Sequence, residues 1–321
     1  MRPIFLLSLP RSGSTLLQRM LASHPQVATL PEPWMLIPPL YALRKNGIFA
    51  EYNHGSLNEA VTDFVNALPN GEADYFAAVR RFAESLYGCV TSDEQPYFLD
   101  KTPRYCFIAN ELIKVFPDAK YVVLWRNPVA ALSSRFHSYE NLWRWHQYKV
   151  DFYSGLNSLI EFTQQNHDRI FVASYEQLID SPEMVLKEMM SYLELEMQPA
   201  LLNDFVKVNL QGRMGDKTGV TDYSSVANQP LNKWRETLCN PLRVQLAKNM
   251  LKTIGENRLE FMGYDLDELL KQLSNLPFGH ARLGSDLVRM CYGLLDELLE
   301  LGVMRKKLAK AKPWHDMHIH H

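Results

Sequence analysis

The sequence predicts an α/β fold of three layers, in which a central parallel sheet is flanked by helices. Short continuous apolar runs, typical of strands buried on both faces, alternate along the chain with segments of helical periodicity. Alternating strands and helices pair the strands in parallel through right-handed crossovers and place helices on both faces of the sheet. The predicted strands cover residues 4–8, 96–100, 120–125 and 169–174.

Helical periodicity accounts for most of the remaining sequence before residue 275. Helices are predicted over residues 14–23 and from about 105 to 116. Residues 51–88 form a mostly helical, polar-patterned insertion between the first two strands, which could contribute to an acceptor pocket. Residues 211–232 carry Gly, Asp, Ser and Asn without periodicity and predict a long loop, and loops of that length tend to be functional.

A long helical pattern over residues 282–312 ends in the basic stretch RKKLAKAK. It could dock a partner or a second subunit, or it could pack back on its own domain, and the sequence leaves both open. We therefore predict a main domain over residues 1–275 and a C-terminal helical extension with a tail over 276–321. One stripe of the helix carries Leu283, Leu287, Met290, Leu294, Leu298 and Leu301.

Composition narrows the class of protein. The 321 residues are 46% hydrophobic and carry a formal charge of −2, which suits a large globular domain and argues against a general nucleic-acid binder. The four cysteines form no CxxC pair, so we expect reduced thiols. No apolar run approaches the roughly 18 residues of a membrane span, and we expect a soluble cytoplasmic protein.

The stretch LPRSGSTLLQ, directly after the first predicted strand, predicts an anion site. A strand, a tight turn rich in Gly and Ser, and a helix aim several backbone N–H groups and the positive end of the helix dipole at one point. Gly13 allows close approach of the backbone, and Arg11 adds a charge whose geometry suits phosphate oxygens. The hydroxyls of Ser12, Ser14 and Thr15 can donate further hydrogen bonds.

This loop departs from the phosphate-binding loop of nucleotide hydrolases. The position of that motif's lysine is occupied by Ser14, and the strand KYVVLW is followed by Arg126 rather than by an acidic residue that could hold Mg²⁺. An enzyme that splits a triphosphate without this lysine and a metal ion would lack the main groups that stabilise the charge developing on the phosphates. These departures argue against a P-loop nucleotide kinase or other NTPase, which remains an alternative, as does a non-catalytic nucleotide-binding module.

A second anion site is predicted where the strand 120–125 ends. Arg126 follows the strand, Pro128 takes a first helical position, and Ser134 lies two turns into that helix. Open α/β sheets bind ligands at such carboxyl ends of strands. Two anion sites on one sheet indicate a ligand with two phosphate-like groups.

These motifs resemble those of sulfotransferases that use 3′-phosphoadenosine-5′-phosphosulfate (PAPS). PRSGSTLL is similar to the family's loop for the 5′-phosphosulfate, and RNPVAALSS to its 3′-phosphate motif. The resemblance, over roughly residues 3–262, implies a P-loop-type fold, PAPS as sulfuryl donor, adenosine 3′,5′-bisphosphate as product, and no metal. It places Arg126 and Ser134 at the 3′-phosphate, Tyr175 of SYEQLIDSP near the nucleotide, Lys233 of LNKWRE at the phosphates, and Lys101 of DKTP at the transferring group.

The departures from the family pattern favour the branch with arginine in the first loop, similar to bacterial and tyrosylprotein sulfotransferases. Glu32 stands 21 residues after Arg11, the spacing at which that branch carries its catalytic glutamate. We predict Glu32 as the base, with Lys101, Arg11 and the loop amides stabilising charge on the leaving phosphate. A role of Glu32 only in pairing with a nearby arginine stays open, as does a histidine as the base; His137 could line the acceptor site.

The acceptor is not determined by the sequence. A small-molecule hydroxyl or a hydroxyl on a chain tethered to a carrier protein fits, as would a lipid or a sugar. No nucleic-acid partner and no membrane span are expected. The insertion 51–88 and the loop around residues 216–228 are the segments expected to decide among acceptors.

Overall fold

A five-stranded parallel sheet organises the chain. The computed structural model describes residues 1–45, 53–138, 140–210, 231, 233–277 and 279–299. All neighbouring strands in the sheet pair in parallel, in the order β2-β3-β1-β4-β5. The predicted P-loop-type α/β fold is therefore confirmed. The strands are β1 (Arg2–Ser8), β2 (Val27–Thr29), β3 (Tyr97–Asp100), β4 (Lys120–Trp125) and β5 (Ile170–Ser174).

The central position of β1 explains its continuous apolar sequence. β1 pairs with β3 on one side and β4 on the other, so that Ile4 has Leu99 and Lys120 as its two neighbours. Phe5 and Leu7 point into one core layer, and Ile4 and Leu6 into the other. A strand covered on both faces needs apolar residues at every position, which is the pattern that predicted it.

Strand β2 was not predicted from the sequence. It contains three residues, Val27–Thr29, and pairs only with β3 at the edge of the sheet. So short a run has no periodicity to detect, and its third residue, Thr29, is polar. Its pairing with β3 places the following segment beside the end of β3.

Helices cover both faces of the sheet. The layer packed on Ile4 and Leu6 comes from α1, α9, α10 and α11, and the opposite layer includes α4, α5, α6, α8, α13 and α15. The helices are α1 (Ser14–Ala22), α2 (Ile37–Tyr41), α3 (His54–Asn66), α4 (Glu72–Gly88), α5 (Ala109–Val115), α6 (Pro128–Ser138), α7 (Trp145–Val150), α8 (Leu156–Gln165), α9 (Tyr175–Asp180), α10 (Pro182–Leu193), α11 (Ala200–Asn203), α12 (Trp234–Thr237), α13 (Pro241–Ile254), α14 (Glu256–Phe261), α15 (Leu266–Ser274) and α16 (Leu283–Leu299).

Two helical predictions need comment. The helix predicted from 105 to 116 is a 3₁₀ helix, Pro103–Ile108, followed by α5. The insertion is helical as predicted, in α3 and α4, and α4 contributes Phe76, Val79 and Tyr87 to the core. Residues 51 and 52 of the insertion and the loop predicted at 211–232, except Leu231, lie outside the described residues.

The C-terminal helix α16 is attached through a buried ion pair. Arg243 of α13 has no exposed surface; its Nε donates to Asp286 Oδ2 at 2.7 Å and its Nη2 to Oδ1 at 3.0 Å. One turn of α16 also lies close to α7, since a Cβ on Gly293 would come within 2.6 Å of His146 Nδ1. The face with Asp286 and Gly293 therefore packs on the domain.

Three leucines of the predicted stripe on α16 lie on another face than these contacts, whereas Met290 of the same stripe is half-buried against the core. Leu287, Leu294 and Leu298 are 42%, 59% and 81% exposed. Among described residues, packing on the chain's own domain thus does not use these three leucines, because the buried ion pair and the glycine contact fix the rotation of the helix. Docking of a partner or second subunit through 282–312 stays a prediction, as does the division at residue 275, and residues 300–312 lie outside the description.

We predict that Arg243→Met lowers the free energy of unfolding by about 3–5 kcal/mol, because it leaves Asp286 as an unpaired buried charge. The control is Lys149→Met. Lys149 also ties α7 to α16, at 2.8 Å from Glu297, but both side chains are substantially exposed, so its loss should cost less than about 1 kcal/mol. Urea unfolding of both variants measures the difference, and equal small losses would contradict this account of the attachment.

Candidate active site

The loop between β1 and α1 has the backbone geometry of an anion site. Arg11 and Gly13 have positive φ angles of 72° and 86°, and Gly13 caps α1. A Cβ at Gly13 would overlap the ring of Tyr175, so glycine is required by contact as well as by conformation. The first turn of α1 has no acidic residue and no side-chain cap, which leaves its N–H groups suited to an anion.

The two anion sites predicted from the sequence are joined. Arg11 Nε donates to Ser134 Oγ at 3.1 Å, and Arg126 Nη1 donates to the Arg11 carbonyl oxygen at 2.8 Å. The guanidinium of Arg126 also lies 4.4 Å from the ring centre of Tyr175. Loop, strand end and α6 therefore form one continuous surface.

Asn127 explains why α6 begins beside this loop. Its side-chain oxygen accepts a hydrogen bond from Val129 N at 2.9 Å, and its backbone N–H donates to Glu176 Oε1 at 3.0 Å. The second carboxylate oxygen of Glu176 accepts from Tyr264 at 2.8 Å. Arg126 and Ser134 are thereby held relative to α9.

Two predicted cofactor residues lie differently from the others. Tyr175 has no exposed surface and packs beneath Gly13, so the structure shows it supporting the loop; its contact with a nucleotide stays a prediction. Lys233 is exposed just before α12, which packs on α6. The pKa of His137 in α6 is lowered mainly by burial and, to a lesser degree, by the charges of Lys233 and Arg11.

Glu32 and Lys101 form an ion pair beside the loop. Lys101, 1% exposed, has its Nζ 2.8 Å from Glu32 Oε1 and 3.3 Å from Thr15 Oγ1. Trp34 Nε1 donates to the other carboxylate oxygen of Glu32 at 3.2 Å. The structure therefore brings the predicted base, the predicted lysine and the first turn of α1 together. The ion-pair partner of Glu32 is Lys101, whereas the alternative role expected from the sequence was pairing with an arginine.

The backbone at Glu32 is constrained on both sides. Glu32 has a positive φ of 25°, which a glutamate adopts only when the surroundings hold it. Before it, Gln18 Nε2 of α1 donates to the Leu30 carbonyl oxygen at 3.1 Å. After it, Leu36 N donates to the Tyr105 hydroxyl at 3.3 Å. These contacts fix where the carboxylate lies.

A buried carboxyl group that the sequence did not single out lies next to Lys101. Asp100 has no exposed surface, accepts hydrogen bonds from Tyr87 at 2.6 Å and Thr102 at 2.9 Å, and has its pKa raised to about 6 by burial. The motif DKTP contained Asp100, but nothing in the sequence connected it with Tyr87 of the insertion.

Family comparison agrees with these motifs. A model of the sulfotransferase family matches residues 3–199, more than half of the 321 residues. The chain belongs to the sulfotransferase family. The matched region includes Arg11, Glu32, Lys101, Arg126, Ser134 and Tyr175 but ends before Lys233. The family assignment made from sequence is thus confirmed, whereas the roles of the individual residues stay predictions.

Individual relatives show the same likeness. Nodulation protein NoeE of Sinorhizobium fredii is 33% identical over 135 residues, which is 40% of this chain and 30% of that protein. Protein-tyrosine sulfotransferase 1 of Danio rerio is 27% identical over 209 residues, 62% of this chain and 55% of that protein. The matched part thus spans well under two thirds of either relative.

Solved structures share the fold. The sulfotransferase domain of the curacin biosynthetic pathway aligns with a TM-score of 0.52 at 24% identity, over 82% of this chain and 97% of that one. The sulfotransferase domain of the Synechococcus PCC 7002 olefin synthase gives 0.53 at 24% identity, over 82% and 95%. At this identity the likeness shows the fold.

The described residues show neither a cluster of metal ligands nor a membrane-spanning helix. No group of three or more His, Cys, Asp or Glu side chains there is arranged to hold a metal ion. In the same part of the chain, every helix is too short or too polar to cross a membrane.

We predict that Gly13→Ala destabilises the protein more than Gly263→Ala does. Both glycines have positive φ, 86° at Gly13 and 87° at Gly263, which costs alanine about 1 kcal/mol or somewhat more. A Cβ at Gly263 has no atom within 4 Å, whereas at Gly13 it overlaps the buried Tyr175 ring and adds roughly 1–3 kcal/mol of overpacking. Urea unfolding measures both losses; equal values would show that the ring does not constrain the loop.

Proposed function

We propose that the protein transfers a sulfuryl group from PAPS to a hydroxyl of a small-molecule or carrier-tethered acceptor. The observation that carries this proposal is the Glu32–Lys101–Thr15 contact, which joins a carboxylate and a buried ammonium to the first turn of α1. Membership of the sulfotransferase family supports the reaction class.

The charges of the site fit a donor with two phosphate groups. Arg11, Lys101 and Arg126 bring three positive charges together with the carboxylate of Glu32, beside a helix N-terminus without acidic residues. The loop from Arg11 to Thr15 would hold the 5′-phosphosulfate end, and Arg126 with Ser134 the 3′-phosphate. PAPS supplies a sulfuryl group on a phosphate leaving group.

The residues divide the chemistry between proton removal and charge stabilisation. The acceptor oxygen forms a bond to sulfur as the bond from sulfur to the 5′-phosphate oxygen breaks, and the acceptor's proton passes to Glu32. Lys101 and Arg11, with the loop amides, stabilise the negative charge that develops on the departing oxygen. Because Lys101 contacts both Glu32 and Thr15, one ammonium can serve both ends of the reaction.

The acceptor class is inferred from the setting of the structural relatives. The curacin and olefin synthase domains belong to biosynthetic enzymes, which favours a hydroxyl on a small molecule or a carrier-bound chain. The α3–α4 insertion, whose Tyr87 donates to Asp100 beside Lys101, is the segment that we expect to influence acceptor choice. The kinase or NTPase alternative is disfavoured by family membership and by Ser14 at the lysine position.

The donor assignment predicts a specific loss in Arg126→Ala. Adenosine 3′,5′-bisphosphate should bind the wild type more tightly than 5′-AMP by roughly 10- to 100-fold, the value of a charge-assisted hydrogen bond, and the variant should lose most of that difference. Calorimetric titration of both nucleotides into both proteins gives the four affinities. The 5′-AMP values report any damage to the loop, and an unchanged ratio between the nucleotides would remove Arg126 from the 3′-phosphate site.

The mechanism predicts that Glu32→Gln lowers kcat by roughly 100-fold or more, since the amide cannot take the acceptor's proton, while adenosine 3′,5′-bisphosphate binds nearly as in the wild type. Transfer of label from PAPS to hydroxyacyl-phosphopantetheines, sugars and phenols is the measurement. Glu194→Gln is the matched control, because Glu194 also pairs with a lysine, Lys120, at 2.7 Å but is exposed. Wild-type turnover in Glu32→Gln would transfer the base role to another group, with His137 the next candidate.

A further inference from the structure

Asp100 is a buried carboxyl group at the end of a central strand. It ends β3, directly before Lys101, and has no exposed surface. Burying a carboxyl group costs several kcal/mol unless hydrogen bonds offset the loss of water. Tyr87 Oη donates to Oδ2 at 2.6 Å and Thr102 Oγ1 donates to Oδ1 at 2.9 Å. Because such buried charges rarely add net stability, their neighbours indicate what they do.

The neighbours of Asp100 extend toward both members of the ion pair. Thr102 follows Lys101, so the bond from its hydroxyl closes the backbone around the lysine. Tyr105, also buried, lies close enough to Asp100 to lower the pKa of that carboxyl, against the larger effect of burial, which raises it, and the Tyr105 hydroxyl accepts from Leu36 N at 3.3 Å. Leu36 lies four residues after Glu32, in the segment that positions the carboxylate.

Tyr87 connects the same group to the helical insertion. It belongs to α4, and its ring stacks on Phe98 of β3 with a centroid distance of 4.3 Å and an interplanar angle of 18°. The stacking fixes the direction from which the hydroxyl approaches Asp100. The insertion is thereby tied to the strand that presents Lys101.

We propose that Asp100 is a positioning residue, which with Tyr87 and Tyr105 holds Lys101 and the Glu32 segment in the register of their ion pair. The proposal rests on the proposed function for its consequence in turnover but not for its geometry. It adds a residue from the insertion to the machinery of the transfer site, although the hydrogen bonds of the Asp100 and Tyr87 side chains are not with the loop that would hold the donor. Its effect is exerted through Lys101.

Tyr121 provides a matched control within the same core. Tyr121 is as buried as Tyr87, and its hydroxyl lies 2.9 Å from the carbonyl oxygens of both Leu112 and Phe116. Those partners belong to α5 and to the residue that ends it, and neither lies in the segments that carry Lys101 and Glu32. Tyr121→Phe therefore removes a buried hydroxyl of the same kind without touching the proposed positioning contacts.

The geometric test is the ¹H–¹⁵N signal of the Lys101 ammonium in uniformly labelled full-length protein, assigned by its loss in Lys101→Arg. A buried ammonium held by Glu32 and Thr15 exchanges slowly with water. In Tyr87→Phe and Asp100→Asn we expect its exchange to quicken by roughly tenfold, the equivalent of one lost hydrogen bond, and its shift to move. In Tyr121→Phe the signal should match the wild type.

The functional test is PAPS turnover and adenosine 3′,5′-bisphosphate affinity in the same variants. Displacement of Lys101 should lower kcat roughly 10- to 100-fold with nucleotide affinity within about twofold, because misplacing a reacting group penalises the chemical step. A Lys101 signal and kcat that match Tyr121→Phe in both variants would overturn the proposal. If the Lys101 signal is displaced in the two variants but the wild type neither binds nucleotide nor transfers label, the positioning role is upheld and the sulfuryl transfer is refuted. Should Asp100→Asn not fold, Tyr87→Phe decides alone.

Discussion

The site depends on one constraint, the parallel pairing of β1 with both β3 and β4. Parallel strands end at the same edge of a sheet, so the segments that follow these three strands meet there. The loop with Arg11 follows β1, Lys101 follows β3, and Arg126 follows β4. Arg11 and Arg126, more than a hundred positions apart in the chain, thus belong to one cluster because each lies shortly after the end of its strand.

That cluster brings like charges together, and the structure compensates locally. The buried ammonium of Lys101 is paired with Glu32, and Arg126 donates to a carbonyl oxygen and lies over an aromatic ring. Backbone strain at Arg11 and Glu32, of order 1–3 kcal/mol each, is held by contacts with neighbouring elements. A polyanionic donor would relieve the repulsion, which is consistent with a site organised before its ligand arrives.

Sequence reasoning succeeded where the signal is local. The runs that became β1, β3, β4 and β5 were recognised within two residues at either end, because buried parallel strands are continuously apolar. The turn at Gly13 was recognised because glycine tolerates positive φ, and the start of α6 because proline favours the first position of a helix. Strand β2 was missed because a run of three residues is too short to show a periodic pattern. The rotation of α16 was not predictable, because its buried face carries Asp286 and Gly293, whereas the leucines of the predicted stripe at 287, 294 and 298 are exposed.

The sequence by itself determined the fold class, the family and the two motifs that are predicted to bind anions, since each follows from residues close together in the chain. Only the tertiary structure decided that Arg11 contacts Ser134, that Glu32 pairs with Lys101, and that Tyr87 reaches Asp100. Those contacts depend on strand order and helix rotation. Both are set by the packing of the whole core, and no local pattern of residues encodes them.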